Sequence, residues 1–244
     1  MRFAPWHRWD RNAFAGLTAF AWLGILVGFG QDIANHLAKH RPSFPLIVHV
    51  HAIAFVTWLT LFTVQVFLIR TGRIRLHRKL GYGMIALALF MLFIGPATAF
   101  HVDKAGLNAP GSDPTFVFIQ LADMIGFLCL AGAGIALRNT ASAHKRLMML
   151  SLLFISDAGF ARFVFPLFGK LVGTDVLGNF LVTYGGNDIG MLALGAYDLV
   201  TRRRLHPAYV AGMAVVLLLQ FGANAMYLDA VAFRPLAVQL IQLG

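Results

Sequence analysis

The sequence predicts an all-α membrane protein: a bundle of seven transmembrane helices with the N-terminus in the cytoplasm and the C-terminus outside. Three observations carry this. Of 244 residues, 59% are hydrophobic and only 12% charged, with a mean hydropathy of +0.73, whereas soluble domains carry about 25% charged residues. Several apolar runs reach the roughly 20 residues that cross a bilayer. The cations are also segregated: 14 of the 20 Lys and Arg fall in the N-terminus and three alternate turns, the asymmetry that marks cytoplasmic segments.

The elements follow in order. Arg2, Arg8 and Arg11 precede an apolar run at 13–30. A signal peptide is the alternative there, with Gly28 and Gly30 at cleavage-like spacing, but the run exceeds a usual signal core and an uncleaved first span is preferred. Further spans are expected at 46–69, 80–100, 115–137, 147–168, 178–200 and 207–227. The turns at 70–79, 138–146 and 201–204 hold the remaining cytoplasmic cations, while Lys39, Arg41, Lys104, Lys170 and Arg234 lie on the other side. The breaks at 31–45 and 101–114 are too short for a separate unit, so 1–244 is one polytopic domain. Each basic turn places one histidine (His77, His144, His206) at the start of an outward-going helix, a weak repeat that is equally well convergence on one kind of turn. The net charge of +10 is thereby explained by topology, with no nucleic-acid partner. The single cysteine, Cys129, cannot form an intrachain disulfide.

Chemistry concentrates between Pro45 and Gly81. Leu46 to Ile69 holds no charged residue, and within it His51, Trp58 and Gln65 are seven residues apart, which puts them on one stripe of a helix that should face protein.

The histidines form two layers. His36, His40, His49, His51 and His101 belong to the outer half; His7, His77, His144 and His206 belong to the cytoplasmic surface. Imidazole is the commonest ligand for haem iron and many transition metals, and a membrane b-type haem needs two from facing helices. His51 with His101 is the preferred pair, with His49 as the alternate and Arg162 near a propionate or other anion. A solvated or headgroup-facing role is the competing reading for all of them. His36 and His40 at i,i+4 match di-iron histidine boxes poorly. The trio His77, His144 and His206 is read as interfacial anchoring in preference to a metal site.

A second constellation is charged and intramembrane: Asp123, Asp157, Arg162 and Asp188. Three acids face one base, so at least one carboxyl must be neutral, bind a cation or open onto water. Arg162 is about 140° around the helix from Asp157, so it is expected to pair with Asp123 or Asp188. The segment Tyr184-Gly185-Gly186-Asn187-Asp188-Ile189-Gly190 sets two glycines beside an acid, as in interrupted transporter helices; close packing through Gly186 and Gly190 explains it as well. Trp58, Gln65, Asp123, Asp157, Asn187 and Asp188 are expected to form the buried polar interior.

The pattern His49-Val-His51, Trp58, Gln65, Leu76-His77-Arg78-Lys79-Leu80-Gly81, Ala143-His144-Lys145-Arg146-Leu147-Met148, Arg162, Tyr197-Asp198 and His206-Pro207 resembles a group of bacterial polytopic inner-membrane proteins with no established activity. The short His-Arg and His-Lys motifs are loosely similar to b-type cytochromes and to membrane proteins of cytochrome oxidase maturation. The last span has no lysine, which argues against a retinal protein.

Two function classes follow. One is a haem- or metal-handling protein using haem b or a transition metal for electron transfer or cofactor handling, with another membrane redox or assembly protein as partner. The other is a cofactor-free transporter or channel-like protein with a midplane Asp/Gly site, or a structural subunit of a membrane complex. Both sit in the lipid bilayer of the bacterial inner membrane, and neither names a reaction.

Overall fold

A computed structural model describes residues 3, 4, 6–40, 42–109, 112–173 and 175–244. Every regular element among them is helical: α1 (Asp10–Ala38), α2 (Leu46–Arg70), α3 (Ile74–Gly106), a 3-10 turn (Pro114–Phe116), α4 (Val117–Ala136), α5 (Ala141–Phe154), α6 (Asp157–Val172), α7 (Val176–Arg202), α8 (Pro207–Leu228) and α9 (Ala230–Leu243). Helices satisfy their backbone groups internally, which a lipid-immersed chain requires. Large apolar side chains such as Leu26, Phe93, Leu171 and Leu218 are left facing outward, as contact with lipid tails allows.

Five helices are long and apolar enough to cross a membrane: α1, α2, α3, α4 with its 3-10 turn, and α8. The expected fifth span is instead two helices, α5 and α6, bent by 46° at Ile155 and Ser156. α7 has 27 residues, about 40 Å at 1.5 Å per residue, but carries Asn187, Asp188 and Asp198 and is the more polar for it. The C-terminal tail, for which the sequence suggested no element, forms α9. It packs Ala237 and Ile241 against Val117 and Phe118, and Lys104 of α3 donates to the Gln242 carbonyl at 3.2 Å.

α5 is the axis of the bundle. Ten of its 14 residues are buried, and α1, α4, α7 and α8 surround it. Beyond the bend the chain leaves the axis, and α6 lies between α1 and α7. Glycine permits this: a Cβ at Gly28 would strike the Gly159 carbonyl of α6, and one at Gly186 of α7 would meet Phe160 at 2.6 Å. α7 remains continuous through Gly185 and Gly186, so the helix is not interrupted there, and Gly186 and Gly190 serve close packing.

The basic segments meet at one end. Arg70 donates to the Arg11 carbonyl at 2.8 Å, Lys145 and Arg202 both bond Asp10 at 2.8 Å, and the rings of His77 and His144 stand 6.3 Å apart. The segregation of charge along the sequence is therefore a segregation in space.

Candidate functional site

The bend between α5 and α6 builds the site. Ser156 donates its hydroxyl to the Leu153 carbonyl at 2.6 Å, and Asp157, the first residue of α6, accepts the Ala158 N–H at 2.6 Å. Asp157 is 3% exposed. Its carboxyl faces that of Asp123 on α4 within hydrogen-bonding reach. Two carboxyls can share such a bond only when one of them carries a proton, because an ionised carboxylate is acceptor-only.

α7 and α8 close the other side. Tyr184 lies in the field of Asp123, Asp157 and Asp188, and Asp188 accepts an amide N–H of Gln220 at 2.8 Å. Further along, Asn179 donates to Asn224 at 2.6 Å. Tyr184, Asn187 and Asp188 are neighbours on one helical face. Several buried polar atoms here have no protein partner: the Tyr184 hydroxyl, both amide atoms of Asn187, Gln220 Oε1 and Asp123 Oδ1. Each such group costs about 1–3 kcal/mol when left unmade.

Arg162 does not pair with Asp123 or Asp188 as the sequence suggested. Its guanidinium meets Asp32 of α1 at 3.4 Å, donates to the Ala158 carbonyl at 2.5 Å and lies over the Phe29 ring at 4.1 Å. The bend is the reason, because it carries α6 off the axis and turns this position toward α1. Asp157, Asp123 and Asp188 thus have no cationic hydrogen-bond partner among the described residues.

Of the expected polar stripe of α2, Trp58 and Gln65 are buried and His51 is half-buried, and the stripe serves packing. Trp58 packs edge-on against Phe127 at 5.1 Å, one turn from Asp123 on α4. Gln65 donates to the His77 carbonyl at 3.2 Å, pinning α2 to α3. His51 stacks on Phe55 at 4.2 Å, and its Nδ1 is buried without a partner. His49 and His101 are exposed. Among the described residues no group of three or more His, Cys, Asp or Glu side chains is arranged to hold a metal ion. Of the three histidines expected on the cytoplasmic side, His77 and His144 meet, whereas His206 lies against Ser142 at 3.2 Å and Phe3 at 4.6 Å.

The basic end holds a network that the sequence hid. Arg146 and Asp198 form a two-bonded pair, both side chains 0% exposed, and Arg202 approaches the same carboxylate at 3.6 Å. Asp10 accepts from Lys145, Arg202 and the Tyr197 hydroxyl. The Phe3 ring lies over the guanidinium groups of Arg146 and Arg202 at 4.6 and 5.3 Å. Burial and the neighbouring Arg146 guanidinium hold the His206 imidazole below its ordinary value. Between this network and the acid pair lie Met149, Leu150, Leu152 and Leu153 of α5, each 2% exposed or less.

No protein-family model, no curated protein and no solved structure matches the chain.

Proposed function

We propose that this is a multi-pass protein of the bacterial inner membrane that moves protons through the site of Asp123, Asp157 and Asp188. Its seven spans are α1, α2, α3, α4, the bent pair α5 and α6, α7 and α8, with the basic end in the cytoplasm. One observation carries this reading: a helix break presents Asp157 to Asp123 beside buried, unpartnered Tyr184 and Asn187. Broken helices with intramembrane acids are the usual construction of ion-coupled sites. The shared proton bonds α4 to α6. Its loss sets two carboxylates against each other in a medium of low dielectric constant, where like charges repel strongly, and so favours separation of the two helices. Proton occupancy is thereby coupled to the packing of α6.

The test is proton uptake by liposomes carrying the purified protein, an internal pH-sensitive dye and an imposed potassium diffusion potential. Uptake should exceed that of empty liposomes and be lost in Asp157→Asn. Uptake equal to that of empty liposomes, or unchanged in Asp157→Asn, overturns the proposal.

The buried, unpartnered Nδ1 of His51 favours a second reading, in which His51 with His101, or His49 in place of His101, holds haem b or a transition metal. A Soret band abolished by His51→Ala supports it. A colourless, metal-free protein contradicts it.

A further inference from the structure

We infer that protons reach Asp123 from the end opposite the basic network, through a cavity bounded by Asp103, Ser112, Asp113 and Tyr227, with Gln120 as the link between cavity and acid pair. The inference rests on the proton-site reading above and adds a route and a direction to it.

The cavity has a volume of about 360 Å³ and lies between the C-terminal end of α3, the segment before α4 and the end of α8. That exceeds the ~30 Å³ share of one water severalfold. Asp103 lines it, and the buried Oδ2 of that carboxyl has no partner. The Gln120 side chain lies beside the Asp103 carboxyl, and its Oε1 is buried and unpartnered. Gln120 precedes Asp123 by three residues on α4, so the two lie on one face about 4.5 Å apart along the axis. Asp123 in turn faces Asp157. Polar groups with unused hydrogen-bonding capacity thus succeed one another from an open cavity to the acid pair.

In this arrangement the opposite approach is closed, so release toward the basic end needs the separation of α4 and α6 that loss of the shared proton favours. From the basic end the path meets the buried Arg146–Asp198 pair and then the apolar residues Met149, Leu150, Leu152 and Leu153. Charge supports the same direction: Asp103 and Asp113 stand at the cavity, where negative potential concentrates hydronium, whereas the basic end repels it. The relay needs no redox partner. A hydronium ion at the cavity gives its proton to the ionised member of the Asp123–Asp157 pair and is left as water.

Cysteine accessibility tests the route without relying on proton flux. In a Cys129→Ala background, which removes the exposed native thiol, Gln120→Cys and Met149→Cys are treated in oriented vesicles with a small, charged, membrane-impermeant thiosulfonate. Because only the hydrated thiolate reacts, a buried dry thiol is inert. We expect Gln120→Cys to react from the side opposite the basic end, within about tenfold of the rate of Ser112→Cys at the cavity. A bulky maleimide placed first on Ser112→Cys should block it in the double variant, and Met149→Cys should stay unreacted. Gln120→Cys that is inert from that side, or that reacts from the basic side, overturns the route; should that variant not fold, Asp103→Cys is judged by the same two outcomes. Labelling as expected without proton uptake would sink the transport reading and leave the route. Uptake with an inert Gln120→Cys would do the reverse.

Discussion

Arg146 of α5 and Asp198 of α7 form a two-bonded ion pair from which solvent is fully excluded. The pair joins the central helix to α7, and the Ser142 carbonyl takes a further Arg146 N–H at 2.7 Å. Breaking such a pair by removing one partner leaves a buried charge uncompensated, at a cost of about 3–5 kcal/mol. Asp198→Asn should therefore lower thermal stability in detergent steeply. Arg146→Met combined with Asp198→Leu should recover much of the loss, because the pair's own net contribution is small. A double variant no more stable than Asp198→Asn would contradict this.

Gly28 and Gly159 bring α1 and α6 into backbone contact. Gly28→Ala places a methyl group on the Gly159 carbonyl, and neither backbone can yield as a flexible side chain would. A loss of about 2–3 kcal/mol is expected. Gly30→Ala, two residues on, meets nothing within 4 Å and should cost nothing. Chemical unfolding of both variants checks the contrast.

Arg162 and Asp32 are half exposed and 3.4 Å apart. Exposed pairs of this kind contribute up to about 1 kcal/mol. Arg162→Ala should change stability by no more than that, far less than Asp198→Asn does, in the same thermal assay.

His206 gives stability a pH dependence of known sign. Its imidazole is held below the ordinary value of 6.5 by burial and by Arg146. The unfolded chain regains the ordinary value and takes up a proton that the fold resists. The stability that comes from keeping the ring neutral is complete above pH 6.5 and is lost as pH falls below it. The melting temperature should thus decline on acidification from that point, and less steeply in His206→Gln. Equal slopes would exclude this role.

How far the sequence reached depends on what sets each feature. The gathering of cations at one end was legible because water and the bilayer sort charge whatever the packing. The burial of Trp58 and Gln65 was legible because their spacing repeats with the helix. The bend at Ile155 and Ser156 was not, since no Pro or adjacent glycines mark it. Its trace is Ser156-Asp157, a pair favoured where a helix begins, inside a run that hydropathy alone treats as one span. That bend also decides where Arg162 points, so the expected partner of Arg162 was missed with it. Arg146 counted as one more cation in a basic turn, and only its packing against Asp198 and Phe3 distinguishes it from neighbours that face water. α9 is too short and too interrupted by Arg234 and Pro235 to stand out as a span.

On the proposed reading, Asp123 and Asp157 share one proton in the folded protein at neutral pH. Infrared spectroscopy measures this directly, because a protonated carboxyl has a carbonyl stretch separate from those of carboxylates and amides. One such band is expected in the wild-type protein at pH 7, shifted by deuteration and absent from the Asp123→Asn, Asp157→Asn double variant. A wild-type spectrum without a protonated-carboxyl band, or a band that survives in the double variant, would contradict it.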